Sequence, residues 1–360
     1  MDTVRVLIVD DSAVVRAVLK RLLDGHKKIE VVGAAVDAQD GRGKIKSLDP
    51  DVVTLDIEMP GMNGLEFLEK IMTLRPTPVV MVSTLTQKGA KESLRALQLG
   101  AFDVFPKPVE DLANQLERYK DKLHNTVIEA AGANVQVLAN RAQRSLDVQQ
   151  NPETEADTAA TTPDISDHYS QSKLLAIGAS TGGTEAIRQV LKDLPRNAPG
   201  IVIAQHLPAA FSDSFAERLD SNCPLTVKIA EEGDLIKPGH VYVAPGSHHL
   251  KVVSSGQGWM CALDDGAPVN RHKPSVDVLF DSVATYAKGN AIGCVLTGMG
   301  KDGAEGLMHM KEAGARTLVQ DEATSVVWGM PGAAAKLGAA EAVVPLDDVA
   351  GTLVQSISGS

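Results

Sequence analysis

Twice along this chain, short apolar runs rich in β-branched residues alternate with stretches of helical period, and that alternation leaves few folds open to it. In residues 1–108 the runs are Val4–Asp10, Val31–Val36, Val52–Asp56, Val79–Ser83 and Val104–Phe105. Between the first two, Val14, Val15, Val18, Leu19, Leu22 and Leu23 fall on one helical face. This β-α-β-α order predicts a parallel sheet with helices on both sides. A second series begins near Lys173, with apolar runs at Leu174–Ala179, Ile201–Gln205, Val241–Ala244, Lys251–Ser254, Ala291–Thr297, Thr317–Gln320 and Ala342–Pro345. It predicts a second α/β domain, doubly wound and mostly parallel, with Val241–Leu263 forming an antiparallel hairpin at an edge.

Between the two series, Leu112–Gln143 has a helical pattern with a break at Gly132. From Ser145 to His168 there are six acidic residues and no Lys or Arg, among many Thr, Ala and Gln, which reads as a solvated linker. The expected division is a first domain over 1–122, a helical or disordered linker over 123–171, and a second domain over 172–360, in keeping with 360 residues.

The formal net charge of −11 disfavours a DNA-binding output, because phosphate contacts need clustered Lys and Arg. No run approaches a membrane span, and Met1-Asp2-Thr3-Val4-Arg5 has no signal-peptide pattern. Cys223, Cys261 and Cys294 are odd in number, widely spaced and in no CxxC pair, which argues against disulfides and zinc. The cytosol is the expected compartment.

In an open parallel sheet the carboxyl ends of the strands line one edge. Asp10 and Asp11 end the first strand, Asp56 the third and Ser83 the fourth, and Lys107 follows the fifth, so these side chains should converge. Three clustered carboxylates repel one another unless a divalent cation or a shared proton compensates, and oxygen-only ligands suit Mg²⁺. Lys107 and Ser83 are placed to hold a phosphoryl group carried by Asp56. With Pro60-Gly61-Met62-Asn63-Gly64 after Asp56, and with Lys107-Pro108, the first 122 residues resemble response-regulator receiver domains. The resemblance implies a flavodoxin-like (βα)5 fold and phosphorylation of Asp56 by a histidine kinase. It also implies Mg²⁺ held by Asp10, Asp11 and Asp56, with the phosphoryl group sensed by Ser83 and Lys107. Glu58 stands where many receivers carry a neutral residue.

The second half carries a different pattern. Gly178-Ala179-Ser180-Thr181-Gly182 places a serine on a glycine-flanked turn directly after an apolar run, the layout of a nucleophile elbow. His206 follows Gly200–Gln205, and Asp302 lies in Thr297-Gly298-Met299-Gly300-Lys301-Asp302-Gly303, just beyond Ala291–Leu296. All three fall on strand carboxyl ends. A serine hydroxyl is a poor nucleophile until an imidazole takes its proton, and a carboxylate fixes the imidazole tautomer. The order Ser, His, Asp differs from the Ser, Asp, His order of α/β-hydrolases. His248, His249 and His272 are the rivals to His206. The first two sit in a polar turn where exposure is the default, and His272 is placed to line a substrate entrance. Ser275 reads as a helix cap. A phosphate cradle at Gly178–Gly183 is disfavoured, since the string is neither GxGxxG nor GxxxxGK[ST].

Ala179-Ser180-Thr181-Gly182-Gly183, Gln205-His206-Leu207-Pro208 and the Leu296–Gly303 block resemble the signature blocks of chemotaxis protein-glutamate methylesterases, the CheB family. Ala244-Pro245-Gly246 and His272-Lys273-Pro274-Ser275-Val276-Asp277 match the same family. The resemblance implies Ser180 as nucleophile, His206 as base, Asp302 as its orienting acid and the Met299 backbone amide as an oxyanion donor, beside Thr181. It implies hydrolysis of glutamate methyl esters on chemoreceptor helices, glutamine deamidation, and no cofactor for the esterase step. The expected partners are a chemotaxis histidine kinase and methyl-accepting chemoreceptors, without nucleic acid and without membrane insertion. A receiver in front of a hydrolase further suggests a phosphorylation gate. The competing readings are a receiver-gated serine hydrolase with another acyl substrate, and a non-enzymatic adaptor in which the Ser180 turn is structural.

Overall fold

A computed structural model describes residues 3–83, 86–107, 116–150 and 165–358. The chain divides into two compact units, Met1–Pro152 and Glu153–Ser360. The first runs β1 (Val4–Val9), α1 (Ala13–Leu23), β2 (Ile29–Ala35), α2 (Ala38–Leu48), β3 (Val52–Asp56), α3 (Gly64–Leu74), β4 (Val79–Ser83), α4 (Gln87–Gln98) and β5 (Asp103–Pro106). The strands form one parallel sheet in the order β2-β1-β3-β4-β5. Helices cover both faces, so β3 and β4 are buried along their whole length. From β1 the chain goes to β2 on one side and then returns to β3 on the other. That reversal opens a crevice at the carboxyl ends of β1 and β3.

Local chemistry starts each helix on cue. Ser12, Asp37, Asn63 and Thr86 each accept a hydrogen bond from a backbone amide three residues on, the N-cap arrangement. At Gly64, which opens α3, an added Cβ would lie 1.9 Å from the Asp56 carbonyl oxygen and 2.8 Å from Ile57 Cα. Backbone cannot yield as a side chain does. Gly64→Ala should therefore destabilise the first unit by about 1–3 kcal/mol through overpacking, seen as a lower thermal midpoint.

Two further helices, α5 (Leu116–Ala131) and α6 (Val135–Gln150), complete this unit, and the expected break at Gly132 falls between them. α6 lies against α3 and α4. The contact is tight at Gly100, where an added Cβ would sit 2.7 Å from the Leu138 carbonyl oxygen. The stretch expected as linker from residue 123 thus opens with helix that belongs to the first unit. Its most acidic part, residues 151–164, lies outside the described residues.

The second unit runs α7 (Asp167–Ser172), β6 (Leu174–Ala179), α8 (Gly183–Lys192), β7 (Gly200–Gln205), α9 (Ala209–Asp220), β8 (Thr226–Ile229), β9 (His240–Val243), β10 (His249–Ser255) and β11 (Gly258–Asp264). It continues with α10 (Val276–Tyr286), β12 (Ala291–Val295), α11 (Ala304–Glu312), β13 (Arg316–Gln320), α12 (Met330–Leu337), β14 (Ala342–Val344) and α13 (Leu346–Ser358). Seven strands form a parallel sheet in the order β14-β13-β12-β6-β7-β9-β8. β6 sits in its middle and is buried along all six residues. Each large side chain there contributes about 1.5–3 kcal/mol by leaving water.

Only part of Val241–Leu263 is hairpin. β10 and β11 pair antiparallel as a separate two-stranded sheet, whereas β9 pairs parallel with β7 and β8. Val241, Tyr242 and Val243 are all buried, so both faces of β9 need covering, and an interior position in the main sheet supplies that. Because β12 and β7 flank β6, the loops after these three strands meet at one edge.

Candidate active site

In the first unit, one carboxylate oxygen from each of Asp10, Asp11 and Asp56 lies within 4.8 Å of the others. Lys107 Nζ donates to Asp56 Oδ2 at 2.8 Å and stands 3.9 Å from Asp10 Oδ2. Asp10 and Asp56 are both 1 % exposed. Burial, then the charge of Asp56, pushes the Asp10 carboxyl up to about 6, and burial also raises Asp56 against the pull of Lys107. Asp10 Oδ2 is buried with no hydrogen-bond partner. An orphaned oxygen among crowded carboxylates fits a hard divalent cation. Ser83 ends β4 and is buried, its carbonyl oxygen accepting from the Lys107 amide at 2.8 Å. Glu58 is exposed, and its amide donates to Asp56 Oδ1 at 3.2 Å.

In the second unit, β6 delivers Ser180 to the sheet edge. The Ser180 amide donates to the Thr297 carbonyl oxygen at 3.1 Å, which ties the turn to the loop after β12. Gly182 turns with φ +78°, where an added Cβ would lie 2.8 Å from Val326, and a Cβ on Gly183 would lie 2.2 Å from Gln205 Oε1. Gln205 Nε2 donates to the Ser180 carbonyl oxygen at 2.9 Å and to that of His206 at 3.2 Å, tying the serine turn to the histidine loop. The Met299 amide finds no acceptor among the described residues.

His206 Nε2 and Asp302 Oδ2 are 2.8 Å apart, with both side chains nearly excluded from solvent. In the neutral imidazole, the nitrogen facing the carboxylate, Nε2, carries the proton and Nδ1 holds the lone pair. Nδ1 is buried and has no hydrogen-bond partner. Asp302, in the loop between β12 and α11, faces the first amides of α10. It accepts from the Val276 amide (2.7 Å), Ser275 Oγ (2.8 Å), Asn270 Nδ2 (2.8 Å) and the Asp277 amide (3.3 Å). Burial alone would raise its pKa, but the His206 hydrogen bond and charge, with the Asn270 and Val276 donors, hold it well below the usual carboxylate range. Asp277 returns the arrangement: from the first turn of α10 its Oδ1 accepts from the Gly306 amide in α11 at 2.7 Å. Burial first, then the Asp302 charge, raises Asp277.

Residues 175–353 match the family model for the CheB methylesterase, and residues 6–118 match that for the response regulator receiver domain. The chain is 55% identical over 353 residues to a protein-glutamate methylesterase/protein-glutamine glutaminase 2 of Xanthomonas oryzae pv. oryzae, covering 98% of this chain and 96% of that one. It is 49% identical to a protein of the same name from Saccharophagus degradans, covering 99% of both. This chain belongs to the CheB family. The second unit is similar to the crystal structure of the Thermotoga maritima CheB methylesterase catalytic domain, at 39% identity and TM-score 0.50, over 51% of this chain and 97% of that one. The resemblance drawn from the motifs, the α/β architecture of both halves and the hydrolase class all stand. No helix among the described residues is long and apolar enough to cross a membrane.

Two of the rival histidines depart from the expected exposure. His249 is buried rather than exposed: it starts β10, Nδ1 accepts from the Ser275 amide at 3.0 Å, and Nε2 lies 3.1 Å from the Ala267 carbonyl oxygen. That structural role explains its burial. His248 is half-buried beside Ser247 Oγ, and His272 lies flat on the His206 ring. Ser275 caps α10 as expected and also donates to Asp302. Sequence reasoning passed over Asn270, Gln205 and the role of Asp277. An Asn two residues before His272, and a Gln ending a strand of apolar residues, were the available signals.

Proposed function

We propose that this chain is a cytoplasmic, phosphorylation-activated protein-glutamate methylesterase that also deamidates protein glutamine, acting on the cytoplasmic helices of methyl-accepting chemoreceptors. The observation that carries the reading is His206, fixed by Asp302 through Nε2, with its buried Nδ1 left for a proton from the Ser180 turn. Ser180 Oγ attacks the ester carbonyl and His206 Nδ1 takes the proton. The Met299 amide stabilises the oxyanion, a contribution of about 10²–10³ in rate for one such donor. The Cδ–O bond to methoxide then breaks, and the His206 proton leaves with methanol. Water, deprotonated at the same nitrogen, cleaves the acyl-enzyme to give glutamate and restore the Ser180 hydroxyl. A glutamine side chain follows the same course and releases ammonia. Asp302 stays ionised throughout, since its pKa is held low.

In the receiver, Asp10, Asp11 and Asp56 would hold Mg²⁺, which when bound neutralises charge during transfer of a phosphoryl group to Asp56. Lys107, beside Asp56, and Ser83, at the next strand end, would sense the product. A chemotaxis histidine kinase supplies the phosphoryl group in this reading. Methanol release from methyl-labelled receptor membranes tests it directly. Addition of Mg²⁺ and a small phosphodonor should raise the rate by about 5–150-fold, the range of a typical coupling free energy, and the rise should vanish in Asp56→Asn. A serine-directed phosphonate should label Ser180. Absence of labelling, or methanol release indifferent to the phosphodonor, would overturn the corresponding half of the proposal.

A further inference from the structure

Val269 and His272 close a two-residue turn: the Val269 amide donates to the His272 carbonyl oxygen at 3.1 Å, and the His272 amide returns the bond at 2.9 Å. Its central residues, Asn270 and Arg271, both have left-handed backbone, with φ of +52° and +69°. Successive positive φ values mark the mirror-image hairpin turn, in which asparagine suits the first place and glycine the second. Arg271 is strained there, because its Cβ crowds the carbonyl oxygen. Strained backbone persists where the surroundings over-determine it, and such sites cluster at functional centres.

The turn delivers two side chains to the His206–Asp302 pair. Asn270 Nδ2 donates to Asp302 Oδ1 at 2.8 Å and to Asp277 Oδ2 at 2.6 Å, using both its hydrogens. One amide thereby stands between two buried carboxylates that repel each other, and it satisfies an oxygen on each. The His272 ring stacks on His206 with centroids 3.7 Å apart and planes 4° from parallel. The hydrogen bond to Asp302 anchors one edge of the His206 ring but leaves its rotation about that bond open. A ring laid flat on its face closes that freedom, so Nδ1 keeps its aim.

Given the esterase reading above, on which this step depends, we infer that Asn270 and His272 are positioning residues for the reaction. Asn270 fixes the Asp302 carboxylate, and His272 fixes the plane of the His206 imidazole. Neither needs to touch the substrate. Their loss should therefore lower kcat and leave KM in place, since misplacing a reacting group by about 1 Å costs on the order of 10²-fold.

The test uses the full-length chain and two readouts, methanol release from methyl-labelled receptor membranes and the rate at which a fluorophosphonate labels Ser180. Asn270→Gly suits the left-handed backbone better than asparagine and removes only the amide. It should lower kcat and the labelling rate by about 10–100-fold at unchanged KM. Arg271→Gly relieves the same turn without touching the pair and should keep wild-type rates. His272→Leu should lose a similar factor, and His272→Tyr, which restores an aromatic face, should recover most of it. Wild-type rates in both Asn270→Gly and His272→Leu would overturn the inference, as would equal losses in Asn270→Gly and Arg271→Gly. If the wild-type chain itself fails to take the label, the esterase reading fails instead, so the two failures are separable. His272→Leu and His272→Tyr decide the matter even if Asn270→Gly does not fold.

Discussion

Ser180→Ala should lose methanol release by about 10⁴–10⁶-fold while Asp56 is still phosphorylated by a small phosphodonor. The size of the loss follows from what the serine supplies. In the proposed mechanism, removing Oγ removes the acyl-enzyme, and water must attack the ester directly. The oxyanion donor and substrate binding survive, so some residual rate above water remains. The fold should survive as well. Ser180 is held by its backbone, through its amide to Thr297 and its carbonyl oxygen to Gln205, and alanine keeps both bonds. Methanol release and Asp56 phosphorylation measured on one preparation check the two halves together. Retained release would remove Ser180 from the mechanism, and lost phosphorylation would mean that the substitution had spread beyond its site.

Much of this could be read from residue order, because a parallel sheet turns order into place. Once β-α alternation is granted, residues that follow strands must line one edge, so Asp10, Asp56 and Lys107 were expected together, as were Ser180, His206 and Asp302. The contacts between Lys107 and Asp56 and between His206 and Asp302 accord with that expectation. Legibility ended where contacts depend on loops between elements. His249 was placed on the surface because it stands in a polar string, yet it is buried under Ser275, an interaction with no local signature. Asn270 hides for a related reason. Its neighbours say only that a turn is present, and its two carboxylate partners lie seven and thirty-two residues away. β9 misled differently. A short apolar strand near a hairpin reads as part of it, and only burial on both faces assigns it to the main sheet.

Asp302→Asn should cost nearly as much activity as the loss of the nucleophile, for a reason that lies in the donors around it. The five groups directed at this carboxylate all donate: His206 Nε2 and the Val276 amide to Oδ2, and Ser275 Oγ, Asn270 Nδ2 and the Asp277 amide to Oδ1. An amide NH₂ placed at either oxygen meets donors instead of acceptors. At the Oδ2 position it forces the His206 proton onto Nδ1, the nitrogen that receives the serine proton in the proposed mechanism, and a wrong tautomer of this kind costs about 10⁴-fold in kcat. Stability should fall too, and its pH dependence carries a definite sign. The Asp302 pKa is depressed in the folded chain, so its contribution is present above its ordinary value of 3.8 and is lost as pH falls through the lower folded value. Asp277 is raised, so its ionisation opposes folding as pH climbs above 3.8. Removing the Asp302 charge takes away one cause of that rise. That relief works against the loss of the Asp302 contribution, which is the larger because the His206, Asn270 and Val276 donors act on Asp302 directly. Urea melts of wild type and Asp302→Asn from pH 3 to pH 7 should therefore differ most toward neutral pH, with a gap that narrows toward the acid end. A gap independent of pH would mean that Asp302 is held by shape alone, without the charge that the proton transfer to His206 requires.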